Sequence, residues 1–159
     1  VYLEHKNIWG IEGEVPDEDI LLPFGKARIE REGADISIVS WSAQLHLASE
    51  AAENLQTKGI SAEVIDLRTL WPWDKEAVFS SVEKTGRLLI THESVAVGGF
   101  GAEIAATVSE HMFKALKHPV RRCAAPRVPI SYAPPLEDMI RVTATNIVDV
   151  ATTMMDSGN

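Results

Sequence analysis

The chain has 159 residues, of which 45% are hydrophobic and 24% charged, and its formal net charge is -8. This length and composition predict one globular domain with a substantial core. The negative charge argues against nucleic-acid binding, which requires a clustered basic surface. No apolar run approaches the ~18 residues of a membrane span. The single cysteine, Cys123, excludes a disulfide framework and a cysteine-rich zinc site.

The first part of the chain is predicted to be mainly a connecting segment. It begins at Val1 without a Met or a signal sequence, which predicts a fragment of a longer polypeptide. We expect a short strand at residues 1–3 and an acidic linker or surface loop at residues 10–23. Small or apolar residues then alternate with charged ones at 26–31, which predicts an antiparallel strand at a sheet edge.

Strands and helices alternate in the rest of the chain. The apolar pattern predicts further strands at 36–41, 62–67, 88–91 and 119–124. Helices are expected from the N-cap Ser42 to Gly59, from the N-cap Asp74 to Gly86, at 100–116 and at 145–155. The prolines in 126–135 argue against a helix or an inner strand there. The fold class is therefore α/β, with three α/β/α layers, a five-stranded, mostly parallel sheet and one antiparallel edge strand.

A glycine turn, Gly98, Gly99 and Gly101, follows the strand at 88–91 and precedes a helix. Glycines at a helix N-terminus can bind phosphate through backbone N–H groups. The spacing matches neither G-x-G-x-x-G nor a P-loop. A tight turn with close helix–sheet packing is the favoured interpretation, and phosphate binding is the alternative.

His92 and Glu93 lie at the end of the same strand and could act as an acid–base pair. Adjacent strand residues point to opposite faces, so a hydrogen-bonded pair that orders the following loop is favoured. The five histidines show no metal-ligand spacing. No Ser-His-Asp order or paired carboxylate site is visible, and Cys123 reads as a core residue. The residues therefore predict neither a catalytic set nor a metal site.

The stretch from Asp66 to Asp74 is unusual. Asp66 and Arg68 are two residues apart and would share a strand face, where they can form an ion pair. Trp71 and Trp73 bracket a proline before the helix cap. They either pack between layers or face a partner, because large aromatics are common in interfaces.

Three motifs together closely resemble one family: DLRTLWPWD at 66–74, KTGRLLITHE at 84–93 and GGFGAEI at 98–104. The family is the beta subunit of the thiamine-diphosphate-dependent decarboxylase component of 2-oxoacid dehydrogenase complexes. GEVP at 13–16, LPFGKA at 22–27, PVRR at 119–122 and YAPPLE at 132–137 also resemble it. PWD at 72–74 and THE at 91–93 are more similar to the branched-chain (2-oxoisovalerate) type than to the pyruvate type.

The resemblance implies two regions. Residues 1–23 would end the pyrimidine-binding domain and form a linker, and residues 24–159 would be a transketolase-like C-terminal domain. The full enzyme would decarboxylate a 2-oxoacid with thiamine diphosphate and magnesium and acylate a lipoyl arm. In the family, the activating glutamate lies in the preceding domain, and the alpha subunit holds magnesium and diphosphate. The resemblance therefore implies no catalytic residue, metal or bound cofactor in this chain, which would be inactive alone.

The resemblance also implies partners: an alpha subunit, a second beta subunit and the peripheral binding domain of a dihydrolipoyl acyltransferase. The candidate docking residues are Lys117, Arg121, Arg122, Glu137, Asp138 and Asn159. The candidate subunit contacts are Trp71, Trp73, His92 and Glu93. Family members often carry an acid at the position of Lys117. The expected location is the bacterial cytoplasm, or the mitochondrial matrix in a eukaryote. Alternatives are a pyruvate or acetoin dehydrogenase beta subunit, or a phosphate- or nucleotide-binding regulatory module.

Overall fold

A five-stranded sheet with helices on both faces forms the body of the molecule. The computed structural model describes residues 1–156. The strands are β1 (Arg28–Arg31), β2 (Ile36–Ser40), β3 (Ala62–Asp66), β4 (Leu88–Val95) and β5 (Arg121–Ala125). The helices are α1 (Ala43–Thr57), α2 (Lys75–Thr85), α3 (Phe100–His111), α4 (Pro134–Asp138) and α5 (Ala144–Asp156). None of the helices in this part of the chain has the length and hydropathy needed to cross a membrane.

The sheet has the order β1-β3-β2-β4-β5. The β2–β3, β2–β4 and β4–β5 pairs are parallel, whereas β1 pairs with β3 in the antiparallel direction. This confirms the expected five-stranded sheet with one antiparallel edge strand. The chain leaves β2 toward β3 on one side and later returns as β4 on the other side. The carboxyl ends of β2 and β4 therefore form the topological switch point, where open α/β sheets commonly bind ligands.

Two hydrophobic clusters cover the two faces of the sheet. One contains the buried residues of α1 and α5 together with Ile36, Ile38 and Val64. The other contains Val39, Ile65 and Ile90 with the buried residues of α2 and α3. Alternate residues of each central strand thus enter opposite clusters, as the pleat of a strand requires. The near-continuous apolar strands follow from burial on both faces.

Several boundaries differ from the sequence-based expectation. Residues 1–3 form no strand; instead a 3-10 turn at Lys6–Ile8 is capped by His5 Nδ1, which accepts from the Asn7 N–H at 3.2 Å. Helix α3 ends at His111 rather than at 116, because Met112 leaves helical geometry with φ -115. Strand β4 continues to Val95, beyond the predicted end at 91.

Two further corrections concern helix starts. Ser42 is the N-cap of α1 as expected, but its side chain makes no capping hydrogen bond, and its φ of 56 is unusual for serine. The expectation that prolines exclude a helix was wrong at Pro134, where α4 begins. Proline is compatible with the first turn of a helix because the N–H groups there have no intrahelical acceptor.

Candidate functional site

His92 lies in the second half of β4, near the switch point, and its side chain is almost fully buried. Its ring stacks on Trp41 at 5.3 Å between centroids. Nδ1 lies 3.0 Å from the Ser94 carbonyl and 2.9 Å from Ser94 Oγ. Burial lowers the pKa of His92, and so does the positive charge of Arg122. Together these two effects outweigh the contact with the Ser94 carbonyl, which acts to raise the pKa. The imidazole is therefore neutral near pH 7.

The glycine turn packs directly on this ring. A Cβ atom at Gly99 would lie 2.7 Å from His92 Cε1, and one at Gly101 would lie 2.5 Å from His92 Nε2. Gly98 has φ +75, in the left-handed region that favours glycine. The three glycines thus allow a turn and a close approach of α3 to the sheet, in agreement with the favoured packing interpretation. The His92 ring therefore fills the space between the start of α3 and the sheet.

Two polar atoms remain without partners at this end of the sheet. Among the described residues, Trp73 Nε1 and His92 Nε2 are buried and have no hydrogen-bond partner. His92 also has no carboxylate hydrogen-bonded to it, as a catalytic triad would require. The His92–Ser94 contact was not predicted from the sequence. The two residues are two positions apart, and this spacing is the only sequence feature that could have indicated the contact. Both residues lie within β4, so the contact is internal to the strand.

Glu93 points away from its neighbour, as expected for adjacent strand residues. Its carboxylate is exposed and lies 2.7 Å from His5 Nε2. Glu93 also lines a cavity of about 120 Å³ with Asn7, Gln44 and Arg141. His92 and Glu93 therefore do not converge on one reaction site, and the predicted hydrogen-bonded pair between them was wrong, because Glu93 pairs with His5 and His92 with Ser94.

Asp66 and Arg68 do form the expected ion pair, with 3.8 Å between Arg68 Nε and Asp66 Oδ2. The geometry differs from the expected extended strand, because Arg68 has φ 57 and donates its N–H to Asp66 Oδ1 at 3.1 Å. The pair therefore closes a tight turn. Burial raises the pKa of Asp66 despite the nearby arginines.

The four predicted subunit-contact residues separate into two groups. Trp71 is 75% exposed and Glu93 is also exposed, so both are available to a partner. Trp73 is only 4% exposed and His92 only 1%, so these two side chains belong to the interior of this chain. Trp73 packs edge-on against Phe79 at 6.4 Å. Trp73 thus packs in the interior, which is one of the two alternatives, whereas Trp71 is exposed on the surface.

The predicted docking residues also form two groups. Glu137 and Asp138 both face Arg141, at 2.7 Å and 3.9 Å. Arg122 Nη1 donates to the Ala96 carbonyl at 2.5 Å. Lys117 and Arg121 are exposed as well. Within residues 1–156, no ion pair links the basic candidates Lys117, Arg121 and Arg122 to the acidic candidates Glu137 and Asp138. Asn159 lies outside the described residues.

A thiamine diphosphate site requires ligands for its metal and donors for its diphosphate. In the described part of the chain, no group of three or more His, Cys, Asp or Glu side chains could hold a metal ion. The glycine turn is backed by the His92 ring. The described residues thus offer no such metal-ligand group, and no catalytic step is assigned to them.

The family model for "Transketolase, C-terminal domain" matches residues 25–147. The chain belongs to the transketolase C-terminal domain family. It is similar to the beta subunit of acetoin:2,6-dichlorophenolindophenol oxidoreductase of Cupriavidus necator, with 41% identity over 99% of this chain and 47% of the relative. Mitochondrial 2-oxoisovalerate dehydrogenase subunit beta 2 of Arabidopsis thaliana is 53% identical over 69% of this chain and 30% of the relative.

A solved structure supports the same family fold. A split-gene transketolase, described as an inactive beta4 tetramer, superimposes with a TM-score of 0.76 and 27% identity. The match covers 92% of this chain and 48% of that chain. This chain thus spans about half the length of these relatives or less. Beta subunits named for acetoin, 2-oxoisovalerate and pyruvate all match, so similarity alone does not select one type.

Proposed function

We propose that this chain is the assembly and partner-docking part of the beta subunit of a 2-oxoacid dehydrogenase decarboxylase, of the 2-oxoisovalerate type. The observation that carries the proposal is similarity to beta subunits of 2-oxoacid dehydrogenases over 92–95% of the chain. The branched-chain type is favoured by PWD at 72–74 and THE at 91–93, which resemble that type; the 53% identity to the Arabidopsis subunit extends over 69% of this chain. Pyruvate and acetoin types are the alternatives. In this proposal, residues 1–23 end the preceding domain and residues 24–159 form the C-terminal domain.

Exposed apolar side chains support a role in assembly. Trp71 is 75% exposed, Phe113 76%, Ile130 79% and Met139 79%. Exposed aromatic side chains such as Trp71 are common anchors of protein–protein interfaces. The proposed contacts are an alpha subunit, a second beta subunit and an acyltransferase peripheral binding domain. The full enzyme would use thiamine diphosphate and magnesium, in the bacterial cytoplasm or the mitochondrial matrix.

Copurification tests this proposal. The chain, produced with the alpha subunit of a 2-oxoisovalerate dehydrogenase, is expected to copurify with it and to show no decarboxylase activity alone. A Trp71→Ala variant is expected to weaken capture, because it removes an exposed aromatic group from the proposed interface. Lys58→Ala, at the exposed end of α1, is the matched control.

Calorimetry separates this function from a phosphate- or nucleotide-binding module. No heat of binding is expected with thiamine diphosphate, nucleotides or inorganic phosphate, because the His92 ring fills the space behind the glycine turn. Failure to retain any alpha subunit, combined with tight binding of one of these ligands, would overturn the proposal. Decarboxylase turnover by the chain alone would contradict it as well.

A further inference from the structure

A small cavity lies at the switch point of the sheet and is here called the switch-point cavity. It is lined by Gln44 at the start of α1, Glu93 in β4, Asn7 in the 3-10 turn and Arg141 just before α5, together with apolar side chains. The carboxyl ends of β2 and β4 lie side by side here, where open α/β sheets commonly bind ligands. Its volume of about 120 Å³ equals that of roughly four water molecules, so it admits only a small molecule.

Gln44 brings a buried amide with an unused acceptor to the cavity. The residue is only 5% exposed, and its Nε2 donates to Thr91 Oγ1 at 3.2 Å. Within residues 1–156, its Oε1 accepts no hydrogen bond. The fully enclosed polar atoms without a partner in this part of the chain are Trp73 Nε1 and His92 Nε2, so Gln44 Oε1 is open to the cavity that Gln44 lines. A buried acceptor of this kind is satisfied when a donor enters.

Glu93 provides a second acceptor, and its carboxylate is fixed in place. His5 Nδ1 accepts the Asn7 N–H at 3.2 Å, so His5 Nε2 carries the proton and donates to Glu93 Oε2 at 2.7 Å. The other oxygen, Glu93 Oε1, has no partner among the described residues. A carboxylate and an amide oxygen on one small cavity favour a ligand group with several donors, which is the property of a primary ammonium.

Donors reach the cavity from Arg141 and from the start of α1. Arg141 Nη2 donates to Glu137 Oε1 at 2.7 Å, and its Nε lies 3.9 Å from Asp138 Oδ1. These contacts hold the guanidinium and leave Nη1 without a partner in the described chain. The first N–H groups of α1 have no acceptor either, because the Ser42 side chain makes no capping bond. Both sets of donors suit a carboxylate.

The charges around the cavity select a ligand that carries both signs. Of the lining side chains, Glu93 is negative and Arg141 is positive, so their charges balance. Glu137 and Asp138 already neutralise Arg141 from outside, which disfavours a ligand that brings negative charge alone. The rest of the lining is aliphatic, from Ala43, Leu47 and Val142. A small zwitterion with a short aliphatic group matches these features.

We propose that the switch-point cavity binds a small aliphatic α-amino acid, such as alanine. The ligand ammonium donates to Glu93 Oε1 and Gln44 Oε1. The ligand carboxylate accepts from Arg141 Nη1 and from the first N–H groups of α1. The short side chain of the ligand packs against Leu47 and Val142. Each chemical group of the ligand thus meets a group of the cavity that has no partner in the described chain or is apolar.

This inference goes beyond the proposed role in assembly and is tested without a partner subunit. Gln44 and Arg141 are not among the candidate docking or subunit-contact residues, and Glu93 is the one ligand-binding residue that the two proposals share. The decisive variant is therefore at Arg141. Loss of amino-acid binding would leave alpha-subunit capture through Trp71 unchanged, and loss of capture would leave amino-acid binding unchanged. Inorganic phosphate is expected not to bind here, because Glu93, Glu137 and Asp138 repel it.

NMR titration of the full chain with L-alanine tests the binding. Saturable shifts are expected at the backbone amides of Ala43, Gln44 and Glu93, with a dissociation constant on the order of 1 mM, as suits a ligand of few atoms. Ethylamine lacks the carboxylate and propionate lacks the ammonium, so each should bind at least about tenfold more weakly. L-Phenylalanine should not shift these amides, because its side chain exceeds the cavity. No saturable shift with L-alanine would overturn the proposal, and so would equal binding of ethylamine or propionate.

Two variants separate the roles of the two charges. Arg141→Met is expected to weaken binding of L-alanine and propionate at least about tenfold and to leave ethylamine unchanged, because Arg141 contacts only the carboxylate. Glu93→Gln should weaken binding of L-alanine and ethylamine and leave propionate unchanged. Arg127→Met and Glu53→Gln are the matched controls, because both residues are exposed and form no ion pair within the described chain.

The Arg141 variant is expected to fold normally, because the Arg141 side chain is 51% exposed and lies outside the helices and strands. Circular dichroism checks this. Wild-type affinity of the folded Arg141→Met variant for L-alanine would overturn the proposal. Equal weakening of all three ligands in a folded variant would indicate a general disturbance of the cavity and would reject the assigned contacts.

Discussion

Lys84 on α2 reaches over the sheet to Glu63 on β3, whose side chain is only 2% exposed. The Lys84 amine also contacts Glu32 at 3.2 Å. Beside this pair, Ser37 Oγ lies 2.5 Å from Ser81 Oγ and 2.7 Å from Thr85 Oγ1. Helix α2 is thus attached to the sheet by buried polar contacts as well as by apolar packing. Groups buried in this way are costly when one partner is removed.

Replacing Lys84 with Met is expected to lower the free energy of unfolding by about 2 kcal/mol. The change leaves the Glu63 carboxylate buried without its cation. The loss is smaller than for a fully buried pair because the Lys84 side chain is 43% exposed and partly screened by water. Denaturant titration measures the effect. Lys58→Met at an exposed position is the control, and equal stability of the two variants would contradict this account.

Acid unfolding is expected to depend on Glu63. Burial alone would raise its pKa, but hydrogen bonds from Lys84 and Ser81 outweigh burial and hold the pKa below the ordinary value of 4.5. A lowered folded-state pKa gives stabilisation that is present above the unfolded value and is lost as pH falls through the folded value. The free energy of unfolding of Glu63→Gln should therefore vary less with pH below about 4.5 than that of the wild type.

Measurement of stability at a series of pH values checks this expectation. Glu83→Gln is the matched control, because Glu83 is exposed and forms no ion pair within the described residues. Its pH profile should follow that of the wild type. Identical profiles for Glu63→Gln and the wild type would show that the buried carboxylate does not control acid unfolding.

The order of the strands and helices was accessible from sequence because it depends on local apolar periodicity and capping. Asp74, for example, caps α2 as expected, accepting the Ala77 N–H at 3.2 Å. Contacts between distant elements were not accessible. The Lys84–Glu63 pair joins residues 21 apart, and no local pattern marks it. The predicted strand end next to His92 was wrong, because β4 continues to Val95, and the burial of His92 under the glycine turn depends on how α3 packs.

Gly101→Ala is expected to destabilise the fold by about 1–3 kcal/mol, as overpacking typically does. The added Cβ would lie 2.5 Å from His92 Nε2 and 2.6 Å from its Cδ2. Thermal or denaturant unfolding measures the change. Gly13→Ala, where a Cβ meets nothing within 4 Å, is the control.

A double-mutant cycle with His92→Ala tests whether the ring is the cause. Removing the ring makes room for the new methyl group, so the two changes should cost less together than the sum of their separate costs. Simple additivity would show that Gly101 is required for another reason, such as the start of α3.

Cys123 is expected to be inert in the folded protein. It is the only cysteine, it is 7% exposed within the cluster of α1 and α5, and burial raises its thiol pKa to about 11. The thiolate is the reactive form, and its fraction at pH 8 is therefore very small. Reaction with a disulfide reagent at pH 8 should proceed only as fast as the protein opens, and should become rapid in guanidinium. Cys123→Ser should unfold at lower denaturant concentration, because it places a hydroxyl in an apolar cluster. Rapid, stoichiometric labelling of the native chain would show that β5 is more open than the packing against α5 indicates.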